Sequence, residues 1–159
     1  MSSLLLNPAE LGERLAHGRP VRLLDARPAS QFAAGHLPGA LHLDPFGISL
    51  IDSRPAPLRA FEWIMQHLLE LRGVTRDEAV VVYEEGSGMR AARLVWLLTL
   101  FGHPDVRLLD GGIGRWRAER RPVTRDAVPE PEASTLIVER RAEHLATVED
   151  VLAALGNPD

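Results

Sequence analysis

The sequence predicts an α/β fold, a parallel sheet with helices on both faces, and three observations lead to it. Short apolar runs alternate along the chain with stretches of helical periodicity, the pattern of successive βαβ units. One run, Ala79 to Tyr83 (Ala-Val-Val-Val-Tyr), is continuous and β-branched, as a strand covered on both faces should be. The connection from that strand into the next helix carries two glycines, Gly86 and Gly88, at the strand end where open parallel sheets bind ligands.

The elements follow in order. Asn7 or Ser3 starts the first ordered region, and Pro8 suits the first turn of a helix running to about His17, with Gly18 as its stop. Val21 to Leu24, ending in Asp25, reads as a buried strand. Ser30 is placed to cap a short helical turn that Gly35 breaks, and Ala40 to Leu43 reads as another strand. Pro45 to Pro57 holds three prolines and a glycine and is expected to be loop. Phe61, Ile64, Met65, Leu68, Leu69 and Arg72 recur at helical spacing before Gly73. After the Ala79–Tyr83 strand comes an apolar helix from about Met89 to Phe101, ended by Gly102. Val106 to Leu109 is a further strand, and Asp110-Gly111-Gly112 turns the chain into a short helix around Trp116. The run from Asp126 into Ser134 reads as a linker. Beyond it the pattern begins again, Leu136 to Val138 matching Leu4 to Leu6 and Val148 to Leu155 matching the helix after Pro8, with Gly156 and Pro158 standing roughly where Gly18 and Pro20 stood. The expected organisation is therefore a domain over 1–125, a linker over 126–134 and the start of a second unit over 135–159.

Composition narrows the function. With 159 residues the chain can bury a core without disulfides or metal. Its formal charge of −4 argues against non-specific binding to nucleic acid or anionic membranes. The N-terminus lacks the positive region of a signal peptide, and the longest apolar stretch, Leu94 to Phe101, is far too short to cross a bilayer. A soluble, cytoplasmic protein is expected. The sequence contains 0 cysteines, which removes disulfides, thiolate zinc sites and cysteine nucleophiles together.

The candidate site is the loop Glu84, Glu85, Gly86, Ser87, Gly88 and Met89, with Arg90 opening the helix. Such a loop can turn backbone N–H groups inward beside a helix N-terminus and make an anion cradle. Arg90 and Arg93 on the first turn could add charge-assisted contacts to a bound anion. A tight strand-to-helix turn without a ligand explains the same residues equally well.

The wider sequence resembles the rhodanese family. The residues that carry the resemblance are Leu24-Asp25-Ala26-Arg27, Gly35-His36-Leu37-Pro38-Gly39-Ala40, the Val80–Tyr83 strand, Ala92 to Trp96, Phe101-Gly102-His103, and Leu109-Asp110-Gly111-Gly112 with Trp116. The match runs from about Leu4 to Val123 and is nearest to the N-terminal halves of two-domain thiosulfate or mercaptopyruvate sulfurtransferases. It implies about five parallel strands and no cofactor. Active members of the family place a cysteine first in the loop after the strand, where its thiolate takes and passes on sulfane sulfur. Glu84 stands at that position. A carboxylate forms no persulfide, so no catalytic residue carries over, and its charge should repel thiosulfate unless Arg90 or Arg93 neutralises it.

Other candidates are weaker. By the same resemblance, Asp25 and Arg27 brace loops by hydrogen bonds. His36 and His42 lack a third ligand at metal spacing, so no metal is expected. Glu84 and Glu85 are read as solvent-exposed charges rather than an acid/base pair. Ser87 lacks a Gly-x-Ser-x-Gly context, and Trp63, Trp96 and Trp116 read as core or domain-interface aromatics. Three functions remain: the non-catalytic half of a two-domain sulfurtransferase with a second rhodanese domain as partner; a stand-alone inactive module binding a protein or small anion; and an enzyme that uses Glu84 in another chemistry.

Overall fold

The computed structural model describes residues 3–86 and 88–155, so Ser87, Gly156 and Pro158 lie outside the described residues. Five parallel strands form the sheet: β1 (Leu5–Leu6), β2 (Val21–Asp25), β3 (Leu41–His42), β4 (Ala79–Tyr83) and β5 (Val106–Leu109), in the order β1-β5-β4-β2-β3. Between and after them run α1 (Pro8–Ala16), α2 (Ala29–Ala34), α3 (Pro55–Glu70), α4 (Met89–Leu100), α5 (Gly112–Ala118) and α6 (Val148–Leu155).

The central strand explains the rest. β4 pairs with β2 on one side and β5 on the other, and all five of its residues are buried. Alternate side chains serve opposite layers, which is why the run has no charged member. Val80 and Val82 join Leu24, Phe61, Met65 and Leu98 beneath α3 and α4. Val81 and Tyr83 join Leu11, Leu37, Ile113 and Trp116 on the face of α1 and α5.

Two expectations need correction. The stretch from Pro45 to Pro57 is not all loop, because α3 begins at Pro55. Proline at the start of a helix lacks only an N–H that has no intrahelical partner there. Of the three tryptophans, Trp116 lies in the core, whereas Trp63 is 67% exposed and stacks on His67, so of its two expected places the core is excluded. It faces solvent because it lies on the side of α3 away from the buried residues Leu58, Phe61, Met65 and Leu69.

The stretch expected as a linker, 126–134, and the residues after it to 145 pack on the first unit. They lie against α3 and α4 as an extended strap. Ser134 Oγ donates to the Val74 carbonyl at 2.6 Å, Leu136 is buried in the α3–α4 core, and the amides of Glu139 and Arg141 donate to the carbonyls of Phe101 and Leu100. Trp96 Nε1 closes the strap by donating to the His144 carbonyl at 2.8 Å. Leu136 to Val138 form no strand. No helix among the described residues is long and apolar enough to cross a membrane.

Candidate functional site

The carboxyl ends of β2 and β4 meet at the candidate loop. Asp25 and Tyr83 are register partners, so the residues that follow them, Ala26-Arg27 and Glu84-Glu85, emerge side by side. Gly88 takes a left-handed conformation, φ 77°, as the residue before α4, and the loop thereby turns back over the helix N-terminus. On the opposite side Gly112 opens α5 against the loop. Its backbone is left-handed at φ 54°, and a Cβ there would collide with the Glu84 carbonyl, which accepts from the Ile113 amide at 2.9 Å. Only glycine permits that approach.

Within this frame Glu84 is buried, 6% exposed, and its side chain turns inward. Carboxylate oxygen Oε2 accepts from the backbone amides of Arg90 at 2.7 Å and Ala91 at 3.1 Å, the N–H groups of the first turn of α4. These are amides with no intrahelical acceptor, and the helix dipole adds to their attraction for an anion. The cradle therefore exists, and the chain's own carboxylate sits in it. The reading of Glu84 as a solvent-exposed charge is thus wrong. An unpaired carboxylate would have faced water, but two orphan amides make burial favourable.

The arginines are used differently from the expectation that they face the cradle. Arg90 projects its guanidinium away, pairs with Asp44 at 2.5 Å and lies 4.1 Å over the ring of Phe46. Arg93 Nη2 donates to the Ile48 carbonyl. Both side chains fasten the segment after β3 to α4. It is the main chain of Arg90, not its charge, that binds Glu84.

Asp25 and Arg27 brace the site from below. Their side chains are 0% and 2% exposed, and Arg27 makes a forked ion pair, Nη2 to Oδ2 at 2.6 Å and Nε to Oδ1 at 2.9 Å. Burial opposes the Arg27 charge, but the hydrogen bond and the charge of Asp25 outweigh it and hold the guanidinium above its ordinary value. Arg27 Nη2 also donates to the Gly35 carbonyl at 2.8 Å, and Nη1 reaches Glu85 at 3.3 Å. Tyr83 Oη accepts from the Leu37 amide at 3.1 Å, and burial, then the nearby Asp25 charge, push its phenol far up. It stays neutral as a strut between β4 and the 35–40 turn.

His36 and His42 prove to be struts as well. His42 Nε2 donates to the Arg27 carbonyl at 2.8 Å, while His36 Nδ1 donates to the Phe32 carbonyl at 3.0 Å and stacks on that ring at 4.0 Å. Among the described residues no group of three or more His, Asp or Glu is placed to hold a metal. Sequence reasoning missed Asp44 and Arg117, which partner Arg90 and Glu85. Asp44 follows β3 at a spacing no motif marks. Arg117 carried no signal beyond lying on α5.

Known proteins share this fold. A family model described as a rhodanese-like domain matches residues 7–119. This chain belongs to the rhodanese-like domain family. The rhodanese-like domain is 40% identical over 126 residues to a "putative thiosulfate sulfurtransferase SseA" of Mycobacterium tuberculosis, covering 79% of this chain and 42% of that protein. It is 32% identical over 157 residues to a thiosulfate sulfurtransferase of Azotobacter vinelandii, covering 98% of this chain and 57% of the relative. Among solved structures, the 3-mercaptopyruvate sulfurtransferase SseA of Escherichia coli superposes with a TM-score of 0.77 at 25% identity, over 98% of this chain and 63% of that one. The chain thus spans about two-fifths to three-fifths of the length of these relatives. The rhodanese-like fold is shared, and with no cysteine anywhere in the sequence this rhodanese-like domain has no thiolate with which to hold sulfur.

Proposed function

We propose that this chain is the non-catalytic N-terminal half of a two-domain sulfurtransferase of the thiosulfate or 3-mercaptopyruvate type. Glu84 replaces the sulfur-carrying cysteine, and the domain serves to support a cysteine-bearing second rhodanese unit in cis and to wall one side of its cleft. The observation that carries the reading is α6. Thr147 and Asp150 cap it reciprocally, Thr147 N to Asp150 Oδ2 at 2.8 Å and Asp150 N to Thr147 Oγ1 at 3.2 Å. Asn7 and Glu10 cap α1 in the same way, at 3.1 and 2.9 Å. In α1 the residue after the box, Leu11, is wholly buried beneath the sheet. Its counterpart Val151 is 50% exposed, as are Val148, Leu152 and Leu155 to greater degrees. A helix with the sequence logic of α1 but no sheet to cover it is what a second unit at its start would supply. On this reading the matching caps favour aligning Leu145-Ala146, rather than the expected Leu136 to Val138, with β1, and the strap before them counts with the first unit. The relatives' greater length supports the same reading. We further infer a cytoplasmic role without nucleic acid or membrane, in keeping with the net charge of −4.

The test is the genomic reading frame beyond Asp159, followed by expression of the whole product. A continuation into a strand and then a loop opening with cysteine, with sulfur transfer that depends on that cysteine, supports the proposal. A stop codon there refutes it and leaves the stand-alone module, for which the seated Glu84 would argue against anion binding at the cradle itself.

A further inference from the structure

The outward side of α3 carries a second apolar stripe, opposite the one that builds the core. Ala56, Ala60, Trp63, Ile64, His67 and, just past the helix end, Leu71 recur at helical spacing, and all are exposed. Trp63, Ile64 and Leu71 are 67%, 40% and 38% exposed, and the Trp63 ring stacks on His67 with centroids 5.8 Å apart. A helix that ends its packing at one face sets charged residues on the other, and this stripe has none. A contiguous apolar patch rimmed by polar groups marks an interaction surface. Here the rim is segregated by sign. Arg59 near the start of α3 and Glu70 at its end stand about three turns apart on the same flank. Arg59 is exposed and has no ion-pair partner among the described residues. Glu70 gives only Oε1 to its own chain, accepting from Gln66 Nε2 at 3.1 Å and the Leu136 amide at 3.0 Å. Glu62, the remaining acid of the helix, is taken by Arg140 of the strap at 2.8 Å.

We propose that this stripe is a self-association surface, on which α3 of a second copy of the chain packs antiparallel about a twofold axis level with Ile64 and Met65. Charge selects the occupant and its direction. The axis sets Arg59 of each copy against Glu70 of the other, two reciprocal ion pairs on one side of the interface. A parallel pairing would oppose Arg59 to Arg59 and Glu70 to Glu70. The same axis brings each Trp63 to the level of the other copy's His67, and the small Ala60 across from Leu71, where helices can approach to about 8–10 Å. The apolar face of α6, the other uncovered helix, has Glu149 and Asp150 in its first turn and no basic residue to answer them, so self-pairing there lacks this complement. The stripe offers roughly 500 Å² on each copy, short of the roughly 800 Å² per partner of a standard interface. The dimer is therefore weak, with a Kd on the order of 0.1 mM. It needs no second sulfurtransferase unit, and its failure would leave that reading standing.

The experiment is sedimentation equilibrium of the full chain from about 10 μM to about 1 mM, a range that brackets the expected Kd. Wild type should pass from monomer to dimer across it. Trp63→Ala should weaken the dimer at least about tenfold, because a central aromatic is the usual hot spot of an interface. Arg59→Glu, which sets like charges together in both pairs, should weaken it about tenfold. Both positions are exposed, so the fold survives either change. Leu152→Lys on α6 should leave the Kd unchanged. A chain that stays monomeric to about 1 mM overturns the proposal and leaves a second unit in cis as the cover of α3. A dimer that survives Trp63→Ala or Arg59→Glu unweakened overturns it too, as does one that Leu152→Lys abolishes.

Discussion

Replacing Glu84 by alanine removes an anion that two main-chain amides hold at 2.7 and 3.1 Å on the first turn of α4. Loss of a side-chain cap costs typically about 1 kcal/mol, and hydrogen bonds to a charged group contribute about 1.5–3 kcal/mol. Because the residue is buried, water does not fully replace the lost acceptor, so the expected cost is about 2 kcal/mol. For a domain of this size that lowers Tm by about 4–8 °C. Glu84→Gln keeps an acceptor oxygen but no charge and should cost about half as much. Urea unfolding, with an unchanged m-value, measures both. Added sulfate should raise the midpoint of the alanine variant more than that of wild type, because the vacated amides then accept an external anion. An alanine variant within about 0.5 kcal/mol of wild type, with no extra response to sulfate, would refute the seated carboxylate.

Three further outcomes follow from the same structure. Leu136→Ala should destabilise the first unit by about 2–4 kcal/mol and raise hydrogen exchange along 134–141, since Leu136 is buried in the α3–α4 core; an independent strap would leave urea stability unchanged. Asp25→Asn strands the buried Arg27 charge and should cost about 3–5 kcal/mol by chemical denaturation. His103 is held below its ordinary pKa of 6.5, chiefly by burial and also by the charge of Arg76, against the pull of the Thr75 carbonyl, Asp105 and Glu78. The unfolded state therefore binds the proton more readily, so this group's contribution is present above pH 6.5 and is lost as pH falls below it. Acid also destroys the bond from the Asp105 amide to Nδ1, and His103→Gln should flatten the fall in Tm between pH 7 and 5 relative to wild type.

Much of the fold was legible because it depends on local chemistry. The run Ala79–Tyr83 had to be covered on both faces, and it is the central strand. Pro8 and Gly18 bounded α1 by rules that act within a few residues. Pro55 misled because a helix start and a loop use the same residue. The strap was illegible since its extended backbone has no periodicity, and its partners, such as Glu70 for Ser134 and Leu100 for Arg141, lie far away in the chain.

At the site the division is sharper. The absence of cysteine is a property of composition, and no folding alters it, so the sequence by itself determined that this domain carries no persulfide. The position of Glu84 directly after β4 was equally readable. Where its carboxylate points was decided by tertiary structure. Gly112 and the α5 amide of Ile113 hold the Glu84 backbone so that its side chain meets the unsatisfied amides of α4, while Asp44, from a different crossover, draws the Arg90 guanidinium away. A side chain at a strand end has several rotamers of similar local energy, and long-range partners choose among them. The same physics put Arg27 and Arg117, ninety positions apart in the chain, on one oxygen of Glu85.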